Sequence, residues 1–111
     1  MNSNTGEPFQ RITVDIAKQK FDGEECTIVD VRQQDEWNSG HVKNAIHIPV
    51  DEMLQRIDQL PDSGSLLFIC AAGVRSALAC ELAASMGIDS ERLFNIEEGT
   101  PSWIAKGYPS E

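Results

Sequence analysis

The sequence lacks the features that mark membrane-bound and secreted proteins. Its longest apolar run covers residues 66–72, far short of the ~20 residues that a helix needs to cross a bilayer. The first eight residues carry neither a basic stretch nor an apolar stretch, so the start of the sequence does not read as a secretory signal. We therefore expect a cytoplasmic protein without a membrane partner.

Basic residues are also scarce. Nine lysines and arginines stand against eighteen aspartates and glutamates, which gives a formal net charge of −9. A surface this acidic repels phosphate backbones and anionic lipid headgroups, so nucleic acid is not an expected partner. The same charge disfavours small anionic substrates.

Cysteine and histidine are also scarce: the sequence has three cysteines and two histidines. An odd number of cysteines leaves at least one free thiol, which suits a reducing compartment. No metal site is predicted, because His41 and His47 have no partners at metal-ligand spacing. Cys26 and Cys80 are expected to be packing residues, and a resolving role for Cys80 is the open alternative.

The 111 residues suffice for one domain, and 41% hydrophobic and 24% charged residues are ordinary for a globular protein. Short β-rich runs alternate with amphipathic stretches, which predicts an α/β layered fold with a mostly parallel sheet. Residues 1–9 are expected to be a loose lead-in and residues 10–111 the folded domain. The predicted strands are 12–14, 26–31, 45–48, 66–70 and 93–96, and the predicted helices are 15–21, 34–38, 51–60, 74–86 and a last one capped by Thr100, with Pro101 first and Gly107 after its end.

The segment from Cys70 to Ser76 carries the clearest chemical signal. Ligands of open parallel sheets bind beyond the carboxyl ends of the strands, where this segment joins the most apolar strand to the longest helix. Loop amides and a helix N-terminus both stabilise a thiolate, so they would lower the pKa of Cys70. Gly73 permits the backbone angles that such a loop needs.

Arg75 breaks a local rule, because a cation near a helix N-terminus opposes the helix dipole. A nearby anionic sulfur or anionic substrate would explain its position. The alternative is that Cys70 is a small buried apolar residue and Arg75 a solvated surface charge.

Three groups of motifs resemble those of the rhodanese-like sulfurtransferases, over about residues 10–109. They are Asp30-Val31-Arg32 with Glu36-Trp37, Gly40-His41 and residues 45–49; the loop Cys70-x-x-Gly73-x-Arg75-Ser76; and Gly99, Trp103 and Gly107-Tyr108-Pro109. The resemblance implies a rhodanese-like α/β fold, with a central, mostly parallel five-stranded sheet flanked by helices on both faces.

The resemblance also implies a reaction. Cys70 would take a sulfane sulfur from thiosulfate or a persulfide, hold it as a persulfide and pass it to a thiol, cyanide or a protein acceptor, without a metal or organic cofactor. Arg75 would orient or neutralise the donor, and the loop amides would bind the outer sulfur. The substrate-binding residues expected from the loop are Ala71, Ala72, Gly73, Val74, Arg75 and Ser76.

Two other functions are weighed against this one. Related cysteine-dependent phosphatases have five residues between the cysteine and the arginine, whereas four separate Cys70 from Arg75, which suits one sulfur atom better than a phosphoryl group. The second alternative is a sulfur carrier or regulatory binding module with little small-molecule turnover. Because the chain is one small domain without an obvious apolar surface stretch, we expect it to be a monomer.

The sequence departs from the family pattern at two places. Glu98-Gly99 stands where many members have a glycine pair, and Ala71 and Ala72 stand where some thiosulfate-using members have basic side chains. We expect Glu98 to approach the loop and disfavour anions there. Together with the negative net charge, this predicts that thiosulfate is a poor donor.

The remaining motif residues are expected to be structural. Asp30 and Arg32 could pair with each other or brace nearby backbone. Bracing is the favoured role, with substrate contact as the alternative. Trp37 and Trp103 are expected to be core aromatics. His41 is assigned a structural role because sulfur transfer needs a thiolate more than a proton shuttle.

Overall fold

The computed structural model describes residues 6–111, and within them five parallel strands form one sheet in the order β1-β5-β4-β2-β3. Four α-helices flank it, so the predicted α/β architecture is confirmed. No helix in this range is both long and apolar enough to cross a membrane. The strands are β1 Gln10–Ile12, β2 Cys26–Asp30, β3 Ile46–His47, β4 Ser65–Ile69 and β5 Leu93–Ile96, and the helices are α1 Val14–Gly23, α2 Gln34–Asn38, α3 Val74–Ser85 and α4 Gly99–Ala105.

Successive side chains of a strand point to opposite faces of the sheet. In β4 the side chains on both faces are apolar. Leu66 and Phe68 of β4 pack in a core layer with residues of α3, whereas Leu67 and Ile69 pack in a second layer with Trp103 of α4. Helices therefore cover both faces, as predicted. All five side chains are fully buried.

The chain before β1 is only partly described. Residues 1–5 of the predicted lead-in lie outside the described residues. Phe9, at the end of that segment, is 1% exposed and belongs to the core layer on the α3 side. Burying an aromatic ring contributes roughly 2–3 kcal/mol, so the packed part of the chain includes Phe9.

The prediction of one helix over residues 51–60 is wrong. The segment forms two single 3₁₀ turns, Val50–Glu52 and Ile57–Gln59. Between them the guanidinium of Arg56 donates to the carbonyl oxygen of His47 at 3.1 Å and to Gln59 Oε1 at 3.0 Å. A ten-residue helix is marginal on its own, so these tertiary contacts outweigh the helical periodicity.

The predicted start of the last helix is also wrong. Helix α4 begins at Gly99, so Thr100 lies inside it and does not cap it. The Thr100 amide donates instead to the carbonyl oxygen of Cys70 at 2.8 Å, which links the start of the helix to the residue that follows β4. The first strand, β1, ends at Ile12. It ends there because Thr13 caps helix α1, its side chain accepting from the Ile16 amide at 3.2 Å.

A buried ion pair closes the carboxyl end of β2. The Arg32 guanidinium binds both oxygens of Asp30, at 2.7–3.0 Å, and also donates to the carbonyl oxygen of Gly40 at 2.7 Å. Asp30 is fully buried and Arg32 is 6% exposed. The predicted bracing role of these two residues is confirmed.

Asp30→Ala should lower the free energy of unfolding by about 3–5 kcal/mol, because Arg32 would keep a buried charge without its partner. Urea denaturation measures the loss. Asp22→Ala is the control, since it breaks an exposed ion pair with Lys18 and should leave the midpoint nearly unchanged. Equal losses in the two variants would contradict the prediction.

Candidate active site

Cys70 follows β4 directly, and its sulfur lies over the N-terminus of α3. Sγ accepts hydrogen bonds from the backbone amides of Gly73 at 3.1 Å and Ser76 at 3.3 Å. The Ser76 hydroxyl is also within hydrogen-bond distance of Sγ, at 3.3 Å. Cys70 is 1% exposed. The sulfur is therefore buried but surrounded by hydrogen-bonding groups that suit a negative charge.

This environment distinguishes Cys70 from the other two cysteines. Burial alone would raise its pKa, but hydrogen bonds from the Ser76 hydroxyl and from the amides of Ser76, Ala72 and Gly73 lower the pKa of Cys70 below that of an ordinary thiol. Burial raises the pKa of both Cys80 and Cys26. All three cysteines are free thiols, and Cys70 is the one whose pKa is lowered.

Two glycines let the Cys70 loop rest on the backbone that follows β5. At Gly73, whose φ is +88°, a Cβ would lie 2.6 Å from the carbonyl oxygen of Glu97. At Gly99, with φ +83°, it would lie 2.2 Å from the carbonyl oxygen of Ala71. Both positions require glycine, for conformation and for space. Both glycines belong to the sequence motifs. The motifs did not reveal that Gly73 lies against the backbone at Glu97 and Gly99 against the backbone at Ala71.

The predicted binding residues divide into three groups. Gly73 and Ser76 contact the sulfur directly. Ala71 is half-buried, and Ala72 and Val74 are exposed, so the mouth of the loop is small and apolar. The third group is Arg75, whose side chain extends toward Glu36 of α2.

Arg75 forms a two-pronged salt bridge with Glu36 of α2, with N–O distances of 2.7 and 2.9 Å. This hydrogen-bonded pair lowers the pKa of Glu36 to about 2, despite an opposing contribution from burial. The position of Arg75 is thus explained by Glu36, without an anionic substrate. Glu36 stood in the sequence motif without a role, because its partner lies 39 residues away.

Glu98 does not approach the mouth of the loop as expected. Its carboxylate accepts from the backbone amide of Val14 at 2.7 Å, so it caps the start of α1. A carboxylate at a helix N-terminus is favoured by the helix dipole, which explains the direction that it takes.

The two tryptophans differ. Trp103 is fully buried and donates from Nε1 to the carbonyl oxygen of Pro109 at 2.7 Å, as expected for a core residue. Trp37 is only half-buried and stacks on the rings of His41 and His47, with centroids 3.4 and 4.7 Å apart. The core prediction for Trp37 is wrong, whereas the structural role of His41 agrees with its Nδ1 contact to the Trp37 carbonyl oxygen at 3.0 Å.

Asn95 is a site residue that the sequence did not reveal. It is fully buried on β5, and its side chain lies between the Cys70 loop and Ser76. Its Nδ2 donates to the carbonyl oxygen of Gly73 at 3.1 Å, and its Oδ1 accepts from the Ser76 hydroxyl. A polar residue inside a predicted buried strand was the available signal, because such groups need partners.

The family is established by comparison with known proteins. The sequence model of the family described as "Rhodanese-like domain" matches residues 13–106 of this chain. The chain belongs to the rhodanese-like domain family. Among residues 6–111 of this rhodanese-like chain, no group of three or more His, Cys, Asp or Glu side chains could hold a metal ion.

Individual relatives are distant in sequence, and one solved structure is close in fold. A rhodanese-related protein from Thermoplasma volcanium has 30% identity and a TM-score of 0.80, over 93% of this chain and 98% of its own. The thiosulfate sulfurtransferase GlpE of Vibrio cholerae is 25% identical, over 93% of this chain and 95% of GlpE. YrkF of Bacillus subtilis, named as a candidate sulfur carrier protein, is 28% identical over 95% of this chain, which spans only 56% of YrkF. Of these relatives, GlpE is thus named as a sulfurtransferase and YrkF as a candidate sulfur carrier.

Gly99→Ala should displace the Cys70 loop, because the new Cβ would overlap the Ala71 carbonyl group. We expect a loss of about 3–5 kcal/mol of unfolding free energy, from overlap and backbone strain together. Gly107→Ala is the matched control: it has φ +75° but open space around it, so only about 1–2 kcal/mol of strain is expected.

Urea denaturation compares the two variants. Alkylation of Cys70 gives an independent reading, since displaced amides would raise the pH at which the thiol reacts in Gly99→Ala only. Equal destabilisation with unchanged alkylation would show that the close approach at Gly99 does not position the loop.

Proposed function

We propose that this chain transfers sulfane sulfur through a persulfide on Cys70. The observation that carries the proposal is the convergence of two backbone amides and the Ser76 hydroxyl on the Cys70 sulfur. The thiolate attacks the sulfane sulfur of the donor, so that one S–S bond forms as the donor's bond to that sulfur breaks. The donor leaves as sulfite from thiosulfate, or as a thiolate from a persulfide. An acceptor thiolate or cyanide then takes the outer sulfur and releases the Cys70 thiolate.

The loop supplies the binding site in this proposal. Its residues Ala71, Ala72, Gly73, Val74, Arg75 and Ser76 are those predicted from the sequence. Amides directed into the loop stabilise the charge of the outer sulfur, as preorganised donors do at other anionic intermediates. The small side chains of Ala71 and Ala72 leave the mouth open to a donor.

The charges near the mouth favour a persulfide donor over thiosulfate. Arg75 is the only basic residue between positions 70 and 76, and Glu36 neutralises it. A dianion such as thiosulfate therefore meets a salt bridge on a chain whose net charge is −9. A persulfide carried by a thiol or by a protein has less charge to bring to the site.

The sulfur-carrier alternative is supported by the similarity to YrkF, which is named as a candidate sulfur carrier, and by the small, uncharged side chains at the mouth of the loop. Both functions need Cys70 to accept sulfur. They differ after loading, because an enzyme releases sulfur to small acceptors over many cycles. Steady-state turnover with a persulfide donor and a small thiol separates them: a carrier would load once and turn over slowly.

Incubation with a persulfide donor should add one sulfur atom to the wild-type chain, and Cys70→Ser should gain none. Intact-mass analysis detects the addition, and cyanide should remove it as thiocyanate. Cys26→Ser is the matched control and should load like the wild type, because the pKa of Cys26 is raised and its thiolate is scarce. Loading of Cys70→Ser, or no loading of the wild type by either donor, would refute the proposed function.

Glu36→Gln should speed loading by thiosulfate, because it leaves the charge of Arg75 without a neutralising carboxylate. We expect an increase of roughly tenfold at low salt that shrinks at high salt, as electrostatic attraction is screened. The rate of sulfur loading is measured by intact-mass analysis of samples quenched at set times. An uncharged persulfide donor is the reference substrate.

Glu91→Gln is the control, since it removes the same charge before β5, at the opposite end of the parallel sheet from Cys70. An equal increase in both variants would mean that net charge, rather than the pairing of Arg75, limits the use of thiosulfate.

A further inference from the structure

The Ser76 hydroxyl has one hydrogen and two neighbours that can accept it. One neighbour is the sulfur of Cys70, 3.3 Å from Oγ, and the other is Oδ1 of Asn95. A hydroxyl donates only one hydrogen bond at a time. All three residues are at most 1% exposed, so their hydrogen bonds are made to one another and to the surrounding backbone.

The orientation of the Asn95 amide is decided by Gly73. The atom of Asn95 that faces the Gly73 carbonyl oxygen, at 3.1 Å, must be the NH₂ group, because a carbonyl oxygen only accepts. The other end of the amide, Oδ1, therefore faces Ser76 and can only accept. Ser76 donates to Asn95, and its oxygen is left to accept from the thiol hydrogen of Cys70.

Ionisation of Cys70 reverses what the sulfur needs. A thiolate has no hydrogen and accepts hydrogen bonds, so Ser76 stabilises it only by turning its hydrogen away from Asn95. The Ser76 and Asn95 oxygens then face each other without a hydrogen between them. Leaving a buried acceptor unpaired in this way opposes the ionised state.

We propose that Asn95 is a positioning residue that holds the Ser76 hydrogen while the Cys70 sulfur is neutral and yields it to the sulfur when the thiolate forms. The proposal rests on the proposed function of Cys70 as the nucleophile. The thiol proton passes to water on ionisation, and the Ser76 hydrogen rotates without leaving its oxygen. When the inner sulfur of the persulfide becomes neutral, Ser76 returns its hydrogen to Asn95. Asn95 thereby moderates the reactivity of the unloaded thiol.

Asn95→Leu tests this role, because leucine has a similar volume but cannot accept from Ser76. The pH profile of iodoacetamide alkylation at Cys70, followed by peptide mass analysis, should move to lower pH by about 0.5–1 unit. Ser76→Ala should move the profile to higher pH, since it removes a donor to the thiolate. Asn95→Ala, which also lacks the acceptor, is the second variant if leucine prevents folding, as judged by circular dichroism.

The double variant separates this role from a merely structural one. If Asn95 acts through the Ser76 hydroxyl, adding Asn95→Leu to Ser76→Ala should leave the midpoint unchanged. Thr27→Val is the control, because it removes a hydroxyl from β2 at the position paired with Leu66, four residues before Cys70. It should leave the alkylation profile unchanged.

Two results would overturn the proposal: an unchanged or higher midpoint in the folded Asn95 variant, or the same downward shift in the Ser76→Ala background. Alkylation does not depend on sulfur transfer, so the profile can be read even if the chain accepts no sulfur. Failure to load sulfur would thus refute the proposed function, whereas the pH profile alone decides the role of Asn95.

Discussion

The site depends on the direct contact between two stretches of backbone, the Cys70 loop and residues 97–99. Strands β4 and β5 are neighbours in the sheet, so the chain leaving each of them emerges at the same edge. Gly73 and Gly99 allow the two stretches to touch, and the amide of Thr100 donates to the Cys70 carbonyl oxygen. This contact fixes the position of the loop beside β5, while helix α3 fixes the direction of the Ser76 amide that donates to the sulfur.

Around this contact, charged groups hold the surrounding elements together. The pair of Asp30 and Arg32 joins the end of β2 to the turn at Gly40 after α2, and the pair of Glu36 and Arg75 joins α2 to the start of α3. In this chain the charged motif residues thus pair with one another and connect neighbouring elements. Arg75 is the only basic residue of the Cys70 loop, and its charge is already paired with that of Glu36.

Local patterns predicted what depends on neighbouring residues. The apolar run of β4, the glycine of the loop and the following helix identified Cys70, and strand–helix alternation identified the sheet. Patterns failed where distant residues decide the outcome: Glu98 turns to the amide of Val14, 84 residues away, and Asn95 meets a hydroxyl 19 residues before it. Periodicity likewise overstated the segment at residues 51–60, because a guanidinium bound to the neighbouring strand end sets its shape.

The placement of the three thiols has a consequence for how long a sulfur atom would survive on Cys70 in the proposed reaction. Cys26 lies opposite Ser65 at the start of β4, five residues or about 16 Å before Cys70, too far for a disulfide. Cys80 is fully buried with a raised pKa, so it offers almost no thiolate to attack a persulfide. A sulfur held on Cys70 would have no internal exit, and its lifetime would be set by the concentration of acceptors outside the molecule.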